Sequence, residues 1–192
     1  VTYNDYHAPQ FTLDGPLQYA LGADDVLDNI GATDQLDGNL SASVKITDKY
    51  RIPNDTEGEY PLEFTVTNSA GDVSRLTATV TMLSQSDYNS SAKIGLSNYL
   101  IYIDKGKKID PMSYVKDIEI GDITYTKQEN GSFTAPSTTA AVGQTATVLP
   151  ASSISVSGSV NRKKPGTYEL TYTMQDKNGR TGSTRLIVVV TE

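Results

Sequence analysis

Gly166-Thr-Tyr168-Glu-Leu170-Thr-Tyr172-Thr-Met174-Gln-Asp176-Lys-Asn-Gly179 is the stretch on which the fold turns. From Tyr168 to Met174 large apolar or aromatic residues alternate with polar ones, as a strand with one buried face requires. Asp176-Lys-Asn-Gly179 supplies turn residues, and Thr184-Arg-Leu186-Ile-Val188-Val-Val190 returns to an apolar pattern, so the whole reads as a β-hairpin. The same hairpin stands 108 residues earlier: Tyr60-Pro-Leu62-Glu-Phe64-Thr-Val66, the turn Asn68-Ser-Ala-Gly71, and Leu76-Thr-Ala78-Thr-Val80-Thr-Met82. That offset superposes Gly58 on Gly166, Tyr60 on Tyr168, Phe64 on Tyr172, Gly71 on Gly179 and Val80 on Val188. Matched apolar phase and matched turn glycines make this an internal repeat. Pro61 has no N–H to donate and is expected at a strand start or a sheet edge.

Working outward, the offset shrinks to 83 in the earlier part of each half, pairing Asp34 with Asp117, Gly38 with Gly121 and Asn39 with Asp122. The second half therefore carries about 25 extra residues, an insertion at about 123–150. The stretch from Gly131 to Asn161 holds no charged residue and is rich in Ser, Thr and Ala. Because Thr145-Ala-Thr-Val-Leu149 and Ile154-Ser-Val156-Ser alternate, part of the insertion is expected to be ordered and to add a hairpin. Helix signals are confined to single turns at Asp24–Ile30 and at Pro111–Val115, the latter with Asp110 as N-cap. The fold class is all-β, with two tandem antiparallel sandwiches covering 1–85 and 86–192. They are joined through the Ser-rich stretch Leu83–Ser91, read as a short linker.

Charge follows the same division. Residues 1–85 hold 13 acids against 4 bases, a net −9; residues 86–192 hold 10 acids against 12 bases, a net +2. The overall −7 argues against a nucleic-acid binder, which needs a basic face. No cysteine means no thiolate chemistry, disulfide framework or cysteine-ligated metal. No apolar run approaches the roughly 18 residues of a membrane span, so no membrane insertion is expected in this segment.

With these residues in place, Gly166-Thr-Tyr168-Glu-Leu-Thr-Tyr172-Thr-Met-Gln-Asp176-Lys-Asn-Gly179 resembles the closing strands of the immunoglobulin-like repeats of bacterial cell-surface proteins, also found in some pesticidal crystal proteins. Gly58-Glu-Tyr60-Pro-Leu-Glu-Phe64-Thr-Val-Thr-Asn68-Ser-Ala-Gly71-Asp72 looks like the same hairpin. Ala32-Thr-Asp34-Gln-Leu-Asp37-Gly38-Asn39-Leu40 resembles that family's upstream acidic segment, degraded in the second half to Asp117-Ile-Glu-Ile-Gly121-Asp122. The resemblance implies Ig-like sandwiches without the disulfide of antibody domains. It also implies a bacterial extracellular location, at the cell surface or secreted, with signal and anchor outside this segment, and neighbouring domains of the same surface protein as partners.

Three constellations are candidate sites. Asp24, Asp25, Asp28, Asp34 and Asp37 with Asn39 offer hard oxygen ligands and form a candidate calcium site, calcium being the one cofactor considered. The spacing departs from an EF-hand loop, and the alternative is that Asp34 and Asp37 make Asx turns ahead of a positive-φ Gly38. Tyr99, Tyr102, Tyr114 and Tyr125 lie outside the closing hairpin and form a candidate ligand surface, since tyrosines stack on sugars and anchor proteins. For any one of them strand packing is the competing role. Tyr60 and Tyr168 stand where a sandwich bonds a tyrosine hydroxyl to upstream backbone, by analogy with the tyrosine corner. Lys105-Gly-Lys107-Lys108 and Arg162-Lys163-Lys164-Pro165 are basic clusters in predicted turns, suited to guarding sheet edges or to meeting an anionic polymer.

Catalysis is not expected. The single histidine, His7, sits in the N-terminal segment, with no third group to orient it as a triad needs. The expected function is a non-catalytic, monomeric surface module, a spacer or adhesion unit. Its alternative is a module that binds a glycan or a host or cell-wall protein through the insertion and exposed tyrosines.

Overall fold

The computed structural model describes residues 6–47, 54–135 and 147–192. Contacts divide the chain into two units, Val1–Tyr88 and Asn89–Glu192. In the first, β1 (Gln10–Leu13), β3 (Ile30–Asp34) and β4 (Gly38–Asn39) form one sheet. The other runs β2 (Gln18–Ala20), β7 (Val73–Leu83), β6 (Gly58–Thr67), β5 (Lys45–Ile46). Pairing is antiparallel except between β2 and β7, where Gln18 faces Thr81 in parallel. Alternation does what it promised: Leu62, Phe64 and Val66 on β6 and Leu76, Ala78, Val80 and Met82 on β7 are buried, as are Phe11 and Ala32, which face each other across β1 and β3. Each such side chain contributes about 1.5–3 kcal/mol of apolar burial.

Pro61 is not at the start of its strand but fourth in it, opposite Thr79. On its other side, among the described residues, β5 pairs with Phe64 and Thr65. The Glu63 carbonyl accepts from Thr47 N–H, so the odd positions of β6 turn their backbone groups toward the β5 side. Among the described residues nothing pairs with Pro61 on that side, so its missing N–H breaks no described ladder, as at a sheet edge.

The stretch read as a linker is partly a helix. After β7 ends at Leu83, Ser84 caps α1 (Gln85–Ser90), its hydroxyl accepting from Asp87 N–H at 3.1 Å. Serine favours caps as much as loops, so composition did not separate a helical turn from a loop within this joining stretch. The division between the units falls within α1.

In the second unit, β8 (Lys93–Leu96), β10 (Val115–Ile120), β11 (Ile123–Lys127), β12 (Phe133–Thr134) and β13 (Val148–Leu149) form one sheet in that order. The other runs β14 (Ile154–Ser157), β15 (Gly166–Gln175), β16 (Thr181–Val190), β9 (Leu100–Ile103), the last pair parallel. Between the sheets lie Ile118, Phe133, Tyr172, Met174, Leu186 and Val188, all at most 1% exposed. The chain is thus all-β and sandwich-built in both units.

The repeat is reproduced down to single hydrogen bonds. β6 and β15 each have ten residues and begin at a glycine, with φ of +151° at Gly58 and +152° at Gly166. In the turns, Gly71 N–H donates to Asn68 O and Gly179 N–H to Asp176 O, both at 3.1 Å. Asp72 N–H bonds Asn68 Oδ1 at 2.9 Å and Arg180 N–H bonds Asp176 Oδ1 at 2.8 Å. The tyrosine-corner expectation is met twice: Tyr60 donates to Thr56 O at 3.0 Å and Tyr168 to Lys164 O at 2.9 Å, each four residues upstream.

The insertion is partly ordered, though not as a hairpin of the two segments named from sequence. Of Thr145–Leu149, Thr145 and Ala146 lie outside the described residues, as do 136–144. Val148–Leu149 pairs with β12, extending the first sheet. Ile154–Ser157 joins β15 in the opposite sheet, because Pro150 and the 3-10 turn Ala151–Ser153 redirect the chain between them. Asp110 caps the 3-10 helix Pro111–Tyr114 as expected, accepting from Met112 N–H at 3.1 Å. Asp24–Ile30 makes only isolated turns, Asp28 N–H to Asp25 O and Ile30 N–H to Leu27 O, since the fully buried Val26 and the start of β3 hold it open.

Candidate functional site

In the second unit the insertion and the β15–β16 turn enclose a cleft of about 530 Å³. Ile120 and Ile123 close a hairpin whose two-residue loop needs Gly121 at φ +59°. That hairpin sets Ile123 and Tyr125 on one face of β11, and Tyr125 is buried at the cleft floor with Ile120 and Leu149. Pairing of Phe133 with Leu149 carries β13 alongside, so that Val148 and Pro150 form a wall. Val148 is 53% and Ile123 39% exposed; among the described residues they are the exposed large hydrophobics of this unit, and both line the cleft.

The opposite wall is polar: Gln175, Asp176, Lys177, Asn178 and Arg180, with Ser152 and Ser153. Asp176 Oδ1 accepts from Asn178 and Arg180 N–H, each at 2.8 Å, so its carboxylate shapes the turn. Lys177, Asn178 and Arg180 are exposed and line the cleft. An apolar floor with a few convergent polar groups, at this volume, suits a small or oligomeric ligand.

Of the four tyrosines proposed for a ligand surface, only Tyr125 lines this cleft, and as its floor. Tyr99 and Tyr114 pack partly buried against the core, and the Tyr99 hydroxyl accepts from Leu96 N–H at 3.3 Å. Tyr102 lies on β9, half-buried. The four therefore do not form one surface. Sequence reading missed Ile123 and Val148, whose signal was an apolar residue inside a Ser/Thr-rich run, and the polar rim, hidden within a turn motif.

The calcium candidates are not drawn together either. Among the described residues, no group of three or more His, Cys, Asp or Glu side chains is placed to hold a metal ion. Asp24, Asp25 and Asp28 are exposed along the loop before β3, and Asn39 Oδ1 accepts from Ser41 N–H. Asp34 makes the Asx turn, its Oδ1 accepting from Leu36 N–H at 2.8 Å and Asp37 N–H at 3.1 Å, with Asn68 Nδ2 on Oδ2 at 3.3 Å. Burial pushes the Asp34 carboxyl up, but these donors outweigh it and hold it below the usual aspartate range. Asp37 instead reaches Ser69, accepting from its backbone N–H at 2.5 Å and its hydroxyl at 2.7 Å. These acids tie two loops of the first unit to each other.

Tyr19 and Tyr172 are the strongly perturbed phenols. Burial, set against a hydrogen bond from Asn29, pushes Tyr19 up to about 12, and its hydroxyl donates to Val26 O at 3.0 Å. Burial also raises Tyr172, which donates to Pro111 O at 2.7 Å. Both hydroxyls fasten a loop to a core, a structural use of the perturbed group. His7 is exposed, its Nδ1 beside Ala8 O at 3.0 Å.

Comparison with known proteins places these observations. Residues 118–189 match the family described as bacterial surface protein, Ig-like domain. An uncharacterized 81.3 kDa protein of Acholeplasma phage L2 is 30% identical over 190 residues, covering 98% of this chain and 22% of that protein. The chain thus spans about a fifth of the length of the curated relative it matches. Among solved structures, the CBM51-2 and INT domains of Clostridium perfringens ZmpB, in complex with GlcNAc, overlay at 18% identity and a TM-score of 0.38, covering 95% of this chain and 41% of that one. The lipoprotein BT2262 of Bacteroides thetaiotaomicron overlays at 14% identity and a TM-score of 0.31, with 93% and 98% covered. No helix among the described residues is long and apolar enough to cross a membrane. The hairpin residues and the sandwich they build agree with that match: over residues 118–189 the second unit is similar to the Ig-like domains of bacterial surface proteins.

Proposed function

We propose that the chain is a non-catalytic, extracellular module of a larger surface protein, and that its second unit recognises a ligand in the cleft between the insertion and the β15–β16 turn. The observation that carries this reading is that the exposed Ile123 and Val148 line one cleft with Tyr125, Lys177, Asn178 and Arg180. An apolar wall facing hydrogen-bonding side chains matches the two-sided character of a sugar ring. The first unit offers no comparable insertion and serves as a spacer within the larger protein.

Glycan-array screening of the whole chain tests the reading. A retained glycan should lose at least tenfold in affinity with Val148→Asp or Arg180→Ala, with thermal unfolding unchanged. An array without a hit, or a hit indifferent to both substitutions, removes the cleft from the function and leaves the spacer.

A further inference from the structure

The two basic clusters are separated by more than fifty residues in the chain but joined in the fold. Gly106 N–H donates to Arg162 O at 2.8 Å, and Arg162 Nη1 donates back to Gly106 O at 2.9 Å. Lys105 and Lys107 flank Gly106, and Lys163 follows Arg162, so the reciprocal bonds bring two runs of cations side by side. Each turn is also fixed from within. Lys107 N–H bonds Asp104 O at 3.0 Å, Lys163 N–H bonds Asn161 Oδ1 at 3.1 Å, and Tyr168 holds Lys164 O.

The result is six cations on one scaffold: Lys105, Lys107, Lys108, Arg162, Lys163 and Lys164. They are half of the 12 bases in residues 86–192, within a chain of net −7. The ion pairs among the described residues take none of the six. Asp104 and Asp110, the nearest acids in sequence, have other partners: a weak contact with Thr191 Oγ1 and the cap on Met112 N–H. The ten residues of β15 separate this surface from the cleft turn by about 30 Å.

We propose that the paired turns bind a linear polyanion bearing closely spaced phosphate, sulfate or carboxylate groups and no bases. Clustered cations held in place without neutralising partners gain by releasing a polymer's condensed counterions. An acidic protein fits less well. Protein interfaces need buried apolar or aromatic anchors and are poor in lysine, and none of the exposed large hydrophobics lies in these turns. Nucleic acid fits less well too, since the tyrosines nearest these turns, Tyr102 and Tyr168, are both half-buried and offer no open stacking platform.

Titration of the whole chain with long-chain polyphosphate, heparin and polygalacturonate, at 50 mM salt and above, tests this and shows which anion is preferred. Binding of at least one polymer is expected, with a log–log salt slope of about −3. Lys163→Ala/Lys164→Ala, and independently Lys105→Ala/Lys107→Ala, should each weaken it about tenfold with unchanged melting temperature. Lys45→Ala/Lys116→Ala removes the same charge elsewhere and should stay within twofold. The proposal is overturned by no binding to any of the three, or by equal losses in all three variants. Single-stranded DNA bound as tightly as polyphosphate would assign the surface to nucleic acid. Self-association abolished by Lys163→Ala/Lys164→Ala would assign it to a second copy of the chain.

Discussion

The two closing hairpins share the length of their first strand, turn bonds, a positive-φ glycine and a hydroxyl tether, while among the described residues the sheets opposite them differ, three strands in one unit and five in the other. The hairpin is the part of each unit that must be right for the sandwich to close. The facing sheet tolerates extra strands at its edge, because β12 and β13 add on to β11 without disturbing the pairing of β10 with β8. Both surfaces proposed for recognition lie where the two units differ, at the added strands and at the lysine-rich turns of the second unit.

If the hairpins are equivalent, equivalent lesions should cost alike. The largest effect is expected from Phe64→Ala and Tyr172→Ala, both 0% exposed, each removing about 3–5 kcal/mol from its own unit. Denaturant unfolding followed by hydrogen exchange in each hairpin would measure them, and a twofold difference would break the equivalence. Next come the strand-initial glycines, whose φ is open almost only to glycine, so alanine costs about 1–3 kcal/mol. The loss should be greater at Gly58, where a Cβ would stand 3.2 Å from the Tyr60 ring, than at Gly166, where the Tyr168 ring is 3.8 Å away. Tyr60→Phe and Tyr168→Phe should each cost about 1 kcal/mol or less, a hydroxyl bond at an exposed site.

The pH responses should differ between units, because Asp34 has no counterpart in the second. Its lowered folded value means its contribution is present above the ordinary aspartate range and is lost as pH falls through the folded value. Asp34→Asn should flatten the acid limb of first-unit stability, read by acid titration of its unfolding midpoint. At the alkaline end Tyr19, raised to about 12, stabilises fully below pH about 10 and ceases to do so as pH passes its folded value. Phenolate absorbance that appears in full near pH 10 would show that its hydroxyl is not held on Val26 O.

Much of this was legible in the chain itself. Period-two alternation, turn glycines and the 108-residue offset located both hairpins, because each is set by local pattern. Asp110-Pro111 announced its cap for the same reason. What escaped was non-local. Ser84 as a helix cap and Ser91 as a loop residue look alike in composition. The Asx turn of Asp34 was visible in sequence, but the bonds of Asp34 to Asn68 and of Asp37 to Ser69 are selected only by the loop arrangement. Asp117 was aligned with Asp34, but it lies within β10 opposite Gly95, where a Cβ would stand 1.9 Å from its carboxylate. The cleft was half visible: Tyr125 and the insertion were singled out, while the facing turn could not be brought to them without the sheet.

One pairing carries a mechanical consequence. In the second unit β9 lies parallel to β16, from Leu100 beside Ile187 to Ile103 beside Val190, with Thr191 N–H bonded to Ile103 O beyond them. Tension that passes β8 and reaches β9 from its N-terminal end, against a pull on the C-terminal end of β16, would drag the two strands in opposite directions along their own axes. The rungs between them then bear load together, in shear, whereas an antiparallel pair pulled from its open end would yield one rung at a time. Under such a load the parallel pairing would resist as a block, which is what a spacer of the proposed kind needs.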